Sequence, residues 1–176
     1  MDRGVFITVV LTVLVFGGII YASLESNPSH SIDGVQTFIR DDRTHTNDPV
    51  DYERTPPVGG PHTPTWLACN GEVYDQPVDT EKAVHSLEHG AVWITYQPNL
   101  ATSTVSQLEE NVGRYTFMSP LPEQDAPITL TAWGNQLSVE SVNDPRIDEF
   151  LSAFRQGPQT PEPGTNCNTP QGAMER

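Results

Sequence analysis

The chain has 176 residues, of which 23 are acidic and nine are basic, so its formal net charge at pH 7 is -14. An acidic surface repels phosphate backbones and anionic lipid headgroups, because both are bound through basic patches. The composition therefore excludes nucleic acid as an expected partner. Roughly 150 residues follow an apolar start, which is close to the usual size of a single domain.

An apolar segment at the amino end predicts a membrane anchor. Residues 5–22 carry no charge, Arg3 precedes them, and the next basic residue is Arg40. The segment is near the lower length limit for a transmembrane helix, and no small-residue cleavage site typical of a signal peptide follows it. Because basic residues favour the cytoplasmic side, we expect residues 1–4 in the cytoplasm and a single-pass cell-membrane protein whose carboxy-terminal domain is extracytoplasmic.

The rest of the chain divides into a polar tether at residues 23–40, a domain at residues 41–168 and a tail at residues 169–176. With 13 glycines and 16 prolines in the chain, much of the domain is expected to be loop. Residues 32–38 are a candidate short strand. Residues 55–62 are rich in proline and glycine, which predicts a shaped loop that delivers His62 to a fixed position. Asn70-Gly71 predicts a turn.

The first predicted helix of the domain spans residues 81–89. Asp79 or Thr80 can cap its amino end, and Gly90 stops it. Its apolar side consists of Ala83, Val84 and Leu87. Residues 91–96 follow directly and are nearly all apolar and β-forming, which predicts a buried strand.

Apolar spacings of three and four predict two more helices, one at residues 102–112 and one that begins at Pro145 and ends before Gly157. The predicted strands of this half lie at residues 115–118, 128–133 and 136–139, the last two joined by a tight turn at Gly134-Asn135. This order of elements predicts an α+β domain with helices on one face of a small mixed sheet. The residues expected to anchor the core include Trp66, Leu67, Trp93 and Trp133.

The chain contains two cysteines, Cys69 and Cys167. Outside the cytoplasm they can form one intramolecular disulfide. Such a bridge would close a loop of roughly a hundred residues and tie the proline-rich residues 159–164 back onto the domain. The alternative is that Cys69 is a thiolate metal ligand near the histidines.

A set of histidines is the candidate functional site. In the predicted helix, His85, Glu88 and His89 can lean toward one side, because they are three and four positions apart. We expect His85 and His89, together with His45 and His62 from constrained loops, to bind copper or zinc, with Glu88 orienting one of them. Alternatively the histidines are structural: His89 would close the helix and His62 would lock its loop.

Several dissimilar motifs occur in order across roughly residues 40–168. They are His45, Tyr52, PPVGGPH at 56–62, Trp66, Val73-Tyr74 with Pro77, VHSLEHGAVWITYQP at 84–98, and TPEPG at 160–164 before Cys167. In this order they resemble a family of bacterial, largely actinobacterial, membrane-anchored proteins of unknown function. The resemblance implies the anchor, the exported location and a role for the four histidines, and it implies no activity or substrate.

The sequence favours metal handling without catalysis, and two alternatives stay open. His85-x-x-Glu88-His89 has the H-x-x-E-H form of the inverzincin peptidases, in which Glu88 would be the general base of a zinc hydrolase. That reaction needs a downstream carboxylate ligand, for which Glu140 and Glu149 are available. In the other alternative, the chain is a structural or accessory subunit that docks beside a larger membrane protein complex through its anchor and proline-rich loops, and its histidines are structural.

Overall fold

A mixed six-stranded sheet forms the centre of the protein in the computed structural model, which describes residues 32–168. In chain order the strands are β1 Gln36–Thr37, β2 Asn70–Val73, β3 Val92–Tyr96, β4 Thr116–Pro120, β5 Ile128–Ala132 and β6 Asn135–Val139. Their order across the sheet is β1-β6-β5-β3-β4-β2. Strand β4 is parallel to both β2 and β3, whereas β5 is antiparallel to β3 and β6. The α+β class and the mixed sheet are confirmed.

Helices pack on both faces of this sheet. Within residues 32–168 they are α1 Thr80–Glu88, α2 Thr102–Glu109 and α3 Arg146–Phe154. On one face, Ile94 of β3 belongs to the same apolar cluster as Leu108 of α2 and Phe150 of α3. On the other face, the adjacent Trp93 packs with Leu87 of α1. The prediction of helices on one face is therefore wrong, because β3 is buried along its whole length and both of its sides need a cover.

Helix α1 begins and ends close to the predicted residues. The carboxylate of Asp79 accepts a hydrogen bond from the backbone N–H of Lys82 at 3.1 Å, which caps the amino end. Gly90 has φ +89°, the left-handed conformation that commonly ends helices and favours glycine. Only Gly90 and Ala91 separate the cap residue His89 from β3, so α1 is fixed directly to an interior strand.

Other predicted elements differ in detail. Asn70-Gly71 lies within β2 rather than in a turn, and Gly71 lies at an irregularity in the pairing of β2 with β4. Helix α2 ends at Glu109 rather than at residue 112, and β4 continues to Pro120. The predicted hairpin forms, with Trp133 and Gly134 between its strands.

A disulfide joins Cys69 to Cys167, as predicted, so Cys69 is not a thiolate ligand. The backbone N–H of Cys69 also donates to the carbonyl of Cys167 at 2.7 Å. Nearby, the backbone N–H of Glu162 donates to the carbonyl of Glu88 at 3.1 Å. The bridge therefore holds the proline-rich segment against the carboxyl end of α1.

The predicted anchor at residues 5–22 and the predicted tail at residues 169–176 lie outside the described residues. Within residues 32–168, no helix is long and apolar enough to cross a membrane. The described part of the predicted tether includes the buried Ile32 and strand β1, which pairs with β6.

Candidate metal centre

Two loop segments run side by side and carry His45 and His62. The backbone N–H of Thr46 donates to the carbonyl of His62 at 2.8 Å, and the N–H of His62 donates to the carbonyl of Thr44 at 3.0 Å. The hydroxyl of Tyr52 donates to the carbonyl of Pro61 at 2.7 Å and holds the second segment in place. These contacts set the position of His62 from both sides of the loop.

Gly59 lets this loop lie directly on an aromatic ring. Its φ is +135°, and a Cβ at this position would lie 3.1 Å from the indole of Trp133. The neighbouring carbonyl of Val58 accepts a hydrogen bond from the backbone N–H of Gly134 at 2.6 Å. The loop that carries His62 is therefore seated on the turn between β5 and β6.

Helix α1 contributes His85 and Glu88, one turn apart. The Nδ1 atom of His85 lies 2.7 Å from the carbonyl oxygen of Thr63. Because a carbonyl only accepts, Nδ1 carries the proton and Nε2 of the neutral ring keeps its lone pair. A hydrogen bond that orients one ring nitrogen and leaves the other bare is the usual state of a metal-binding histidine.

Four side chains from these segments converge. His45, His62, His85 and Glu88 each offer a ligand atom, and these atoms all lie within 4.8 Å of one another. Tetrahedral zinc, with bonds of about 2.0 to 2.1 Å, needs ligand atoms roughly 3.3 Å apart, so the more widely spaced atoms of the set must approach one another by up to about 1.5 Å to bind. Three imidazoles and a carboxylate could hold zinc or copper(II).

His62 has an oxygen at each ring nitrogen. Its Nδ1 lies 2.8 Å from the carbonyl oxygen of Gly60, and its Nε2 lies 3.0 Å from Oε2 of Glu88. Burial lowers the pKa of His62, but the hydrogen bonds to Glu88 and Gly60 outweigh it and leave the pKa raised. Burial likewise raises the pKa of Glu88, and the hydrogen bond and charge of His62 turn this into a net lowering. At moderately acid pH, His62 is therefore protonated and Glu88 is ionised.

The pKa of His85 is shifted in the opposite direction to that of His62. The His85 pKa is lowered to about 4, mainly by burial and to a smaller extent by the nearby histidines, while the hydrogen bond from its ring to Thr63 opposes the shift. At neutral pH the ring is therefore uncharged. A neutral imidazole with a bare Nε2 is the form that binds a metal.

Solvent reaches the cluster on the side of His45. Its side chain is 47% exposed, whereas the side chain of Glu88 is 3% exposed and His62 is fully buried. Nε of Arg43 lies 3.9 Å from the Oε1 atom of Glu88, so a half-exposed guanidinium also faces the carboxylate. Arg43 was not among the predicted site residues. In the sequence, only its position two residues before His45 indicates that it lies near the site.

His89 lies beside the cluster rather than in it. Its ring packs edge-on against His85, with centroids 4.6 Å apart, and its Nε2 lies 3.9 Å from a carboxylate oxygen of Glu162. Burial is the largest influence on its pKa, which is lowered. Glu88, predicted to orient a histidine or to act as a general base, supplies a converging ligand oxygen instead. Positions 85, 88 and 89 share one side of a helix, so the sequence could not decide which two face the loops.

Trp66 covers the two histidines of α1. Its ring centroid lies 5.6 Å from that of His85 and 4.9 Å from that of His89. Its indole N–H donates to the carbonyl of Asn168 at 2.8 Å, and the residue is only partly buried. Trp66 was predicted to anchor the core, as Trp93 and Trp133 do, and this prediction is wrong for Trp66.

The carboxylates that a zinc hydrolase would need lie elsewhere. Glu140 and Glu149 are exposed, and neither belongs to the group of converging ligand atoms. Of the H-x-x-E-H motif, His85 and Glu88 converge with the loop histidines. The spatial arrangement therefore differs from the peptidase pattern, in which both histidines of the motif bind zinc.

Fold and site together define a small α+β domain in which two parallel loop segments and one helix gather three histidines and a glutamate. A family model described as "Protein of unknown function (DUF3105)" matches residues 43–169, and the chain belongs to this family. The expectation that the chain belongs to a family of unknown function is confirmed. Neither a curated protein nor a solved structure matches the chain.

Proposed function

We propose that the chain is a membrane-anchored, extracytoplasmic protein that binds zinc or copper(II) through His45, His62, His85 and Glu88. The observation that carries the proposal is the convergence of four ligand atoms from three separate segments within 4.8 Å. Three of these side chains, His62, His85 and Glu88, are buried, and burying polar groups costs free energy unless each finds a partner. A divalent cation at the centre satisfies all four at once.

Metal handling without catalysis is the function favoured. Glu88 belongs to the converging set, whereas the general base of a hydrolase must stand beyond the ligands and reach a bound water. A metal held by four protein ligands also lacks the open position that catalytic zinc keeps for water or substrate. The half-exposed His45 is the natural point at which the ion enters and leaves.

The ligand chemistry suits zinc and copper(II) better than copper(I). Copper(I) prefers thiolate and thioether ligands. Both cysteines are in the disulfide, and Met118 is fully buried in the opposite apolar cluster. Imidazole and carboxylate ligands do not discriminate further between zinc and copper(II).

The proposed location rests on two supports. Residues 5–22 are uncharged and long enough to anchor the chain, with the domain outside. Disulfides persist mainly in oxidising compartments, and Cys69 and Cys167 form one. In this setting the domain either handles metal by itself or does so as part of a larger membrane protein complex.

The test compares two substitutions four positions apart, one at His85 on α1 and one at His89, which caps the helix. The purified full-length chain is equilibrated with zinc or with copper(II), freed of excess metal and assayed for bound metal by mass spectrometry. We expect about one ion per chain for the wild type and for His89→Ala. We expect loss of the ion for His85→Ala, since only His85 belongs to the converging set.

Thermal unfolding of each variant shows whether it is folded before its metal content is compared. The metal proposal fails if the wild type retains neither ion, or if folded His85→Ala binds as much as His89→Ala. The hydrolase alternative would replace metal handling if the zinc-loaded chain cleaved peptides and Glu88→Gln kept the metal but lost that activity.

A further inference from the structure

A second surface feature, separate from the metal centre, is a cleft of about 540 Å³. It is lined by Arg114, Tyr115, Arg155, Gln156 and Gly164. None of these residues belongs to the group of converging metal ligands. Its volume is in the range of pockets that accept small molecules.

The cleft brings together two arginines without acidic partners. Among residues 32–168, the arginine and lysine side chains that form salt bridges with carboxylates are Arg40, Arg43, Lys82 and Arg146. Neither Arg114 nor Arg155 forms one with the described residues. In a chain with a net charge of -14, two such guanidinium groups in one cleft make a localised positive site.

The backbone of the cleft is held in an unusual conformation. Within the described residues, Tyr115 and Gln156 are the non-glycine residues with positive φ, each at +54°. This conformation costs roughly 1 to 2 kcal/mol for a residue with a side chain, so surrounding contacts must hold it. Both residues line the same cleft.

Hydrogen bonds supply those contacts. The backbone N–H of Gln156 donates to the carbonyl of Gly90 at 2.9 Å, and its Oε1 accepts from the N–H of Gly164 at 2.6 Å. The hydroxyl of Tyr115 donates to the carbonyl of Thr165 at 3.0 Å. The walls of the cleft are therefore fixed before any ligand arrives.

We propose that this cleft binds the phosphate or carboxylate group of a small ligand, with Arg114 and Arg155 as its counter-ions. Arginine suits this role because its planar guanidinium forms two parallel hydrogen bonds to such a group. The guanidinium of Arg114 lies 5.3 Å from the ring centroid of Tyr115, a cation–π contact that orients it. At Gly164 a Cβ would meet no atom within 4 Å, which leaves room for the ligand.

The test uses inorganic phosphate and succinate as probes, titrated separately into the full-length chain. Binding is measured by calorimetry and by shifts of the amide NMR signals of Gly113 and Gly164. We expect saturable binding of at least one probe, weakened about tenfold or more in Arg114→Gln and in Arg155→Gln. Arg40→Gln, which removes the same charge from a residue lining a different cleft, should bind as the wild type does.

The two probes distinguish a phosphate ligand from a carboxylate ligand. Unfolding temperatures measured without probe verify that the three variants are folded, as expected for exposed or partly exposed side chains. Absence of saturable binding of both probes, an unchanged affinity in both cleft variants, or an equal loss in Arg40→Gln would overturn the proposal.

Discussion

The negative charge of the buried Glu88 can be balanced in two ways, by a proton on His62 or by a metal ion. The two ring nitrogens of His62 face the oxygens of Gly60 and Glu88, so at moderately acid pH and without another cation the ring carries two protons and a positive charge. A metal at Nε2 would take the place of the second proton. The same buried pair can therefore hold either a proton or a metal ion, and the two compete.

Removing the carboxylate should destabilise the metal-free protein. Glu88→Ala leaves the buried His62 without the group that balances its charge. We expect the free energy of unfolding to fall by about 2 to 4 kcal/mol, the range typical of a broken buried pair. Urea denaturation of the full-length chain in the presence of a chelator measures the change.

Glu88→Gln is the companion variant, because an amide can still donate to Nε2 of a neutral His62. It should restore part of the lost stability. Glu123→Ala, at an exposed position, should change the free energy of unfolding by less than about 0.5 kcal/mol. Equal effects of Glu88→Ala and Glu123→Ala would contradict the expectation.

The lowered pKa of His85 predicts a pH dependence of stability. The ring titrates near 6.5 when unfolded and at about 4 when folded, so between these values the unfolded state binds more protons. The contribution is intact above pH 6.5 and is lost as the pH falls through the folded pKa. The variant His85→Asn removes this pH-dependent contribution, because asparagine does not titrate, while its amide can keep the hydrogen bond to Thr63.

Between pH 6.5 and pH 4, the free energy of unfolding of the chelator-treated wild type should therefore fall by about 1 to 3 kcal/mol more than that of His85→Asn. The raised pKa of His62 acts in the opposite direction, with stability lost as pH rises through it, but His62 is present in both proteins. Parallel stability curves for the two proteins would contradict the assignment of a neutral, buried His85.

At the scale of the element, the junction of α1 and β3 depends on Gly90. A Cβ there would lie within 3 Å of side-chain atoms of Gln156 and Thr160, and φ is +89°. Gly164 has φ +80° but open space around it. Gly90→Ala and Gly164→Ala both place a side chain on a residue with positive φ, which costs about 1 kcal/mol or more. Only Gly90→Ala adds a steric clash.

We therefore expect Gly90→Ala to lower the free energy of unfolding by at least about 1 kcal/mol more than Gly164→Ala does. Denaturant unfolding of the two variants measures this difference directly. If the two variants unfold alike, Gln156 and Thr160 yield without cost and the junction is not tightly packed.

The sequence predicts best those helices and strands whose first and last residues are marked by a local pattern, such as a helix cap or the start of an apolar run. Asp79 and Gly90 mark the ends of α1, and the apolar run after Gly90 marks β3. Strand β2 was missed because Asn70-Gly71 is a turn signal, and its pairing with β4 depends on residues more than forty positions away. The nearly continuous apolar run of residues 91–96 could have indicated that β3 is covered on both faces, as its burial shows.

The candidate site was predictable to a similar extent. The four-residue spacing of His85 and His89 indicated the helix that carries two of the converging residues, and the glycines and prolines before His62 indicated the loop that carries another. The exchange of His89 for Glu88 depends on the rotation of α1 against the loops. Leu87 of α1 and Trp93 of β3 belong to one apolar cluster, and this contact between elements is not visible in the local sequence pattern.

For the whole molecule, the disulfide is the main constraint that can be removed. Cys69 and Cys167 are 98 positions apart, and the chain-entropy model gives about 4 to 5 kcal/mol for a loop of this size. The double variant Cys69→Ser with Cys167→Ser should lose several kcal/mol of unfolding free energy in urea. A reductant should lower the wild type to the same level and leave the variant unchanged, and any other result contradicts the expectation.

The disulfide and the proposed metal site would be interleaved cross-links. His45 and His62 precede Cys69, outside the closed loop, whereas His85 and Glu88 lie inside it. Neither cross-link encloses the other, so each restrains a stretch that the other leaves free. Metal removal should expose residues 43–62 to trypsin, with cleavage after Arg43 and Arg54, while the stretch between the cysteines stays protected. Unchanged cleavage with and without zinc would show that the ion does not tie this segment to the helix.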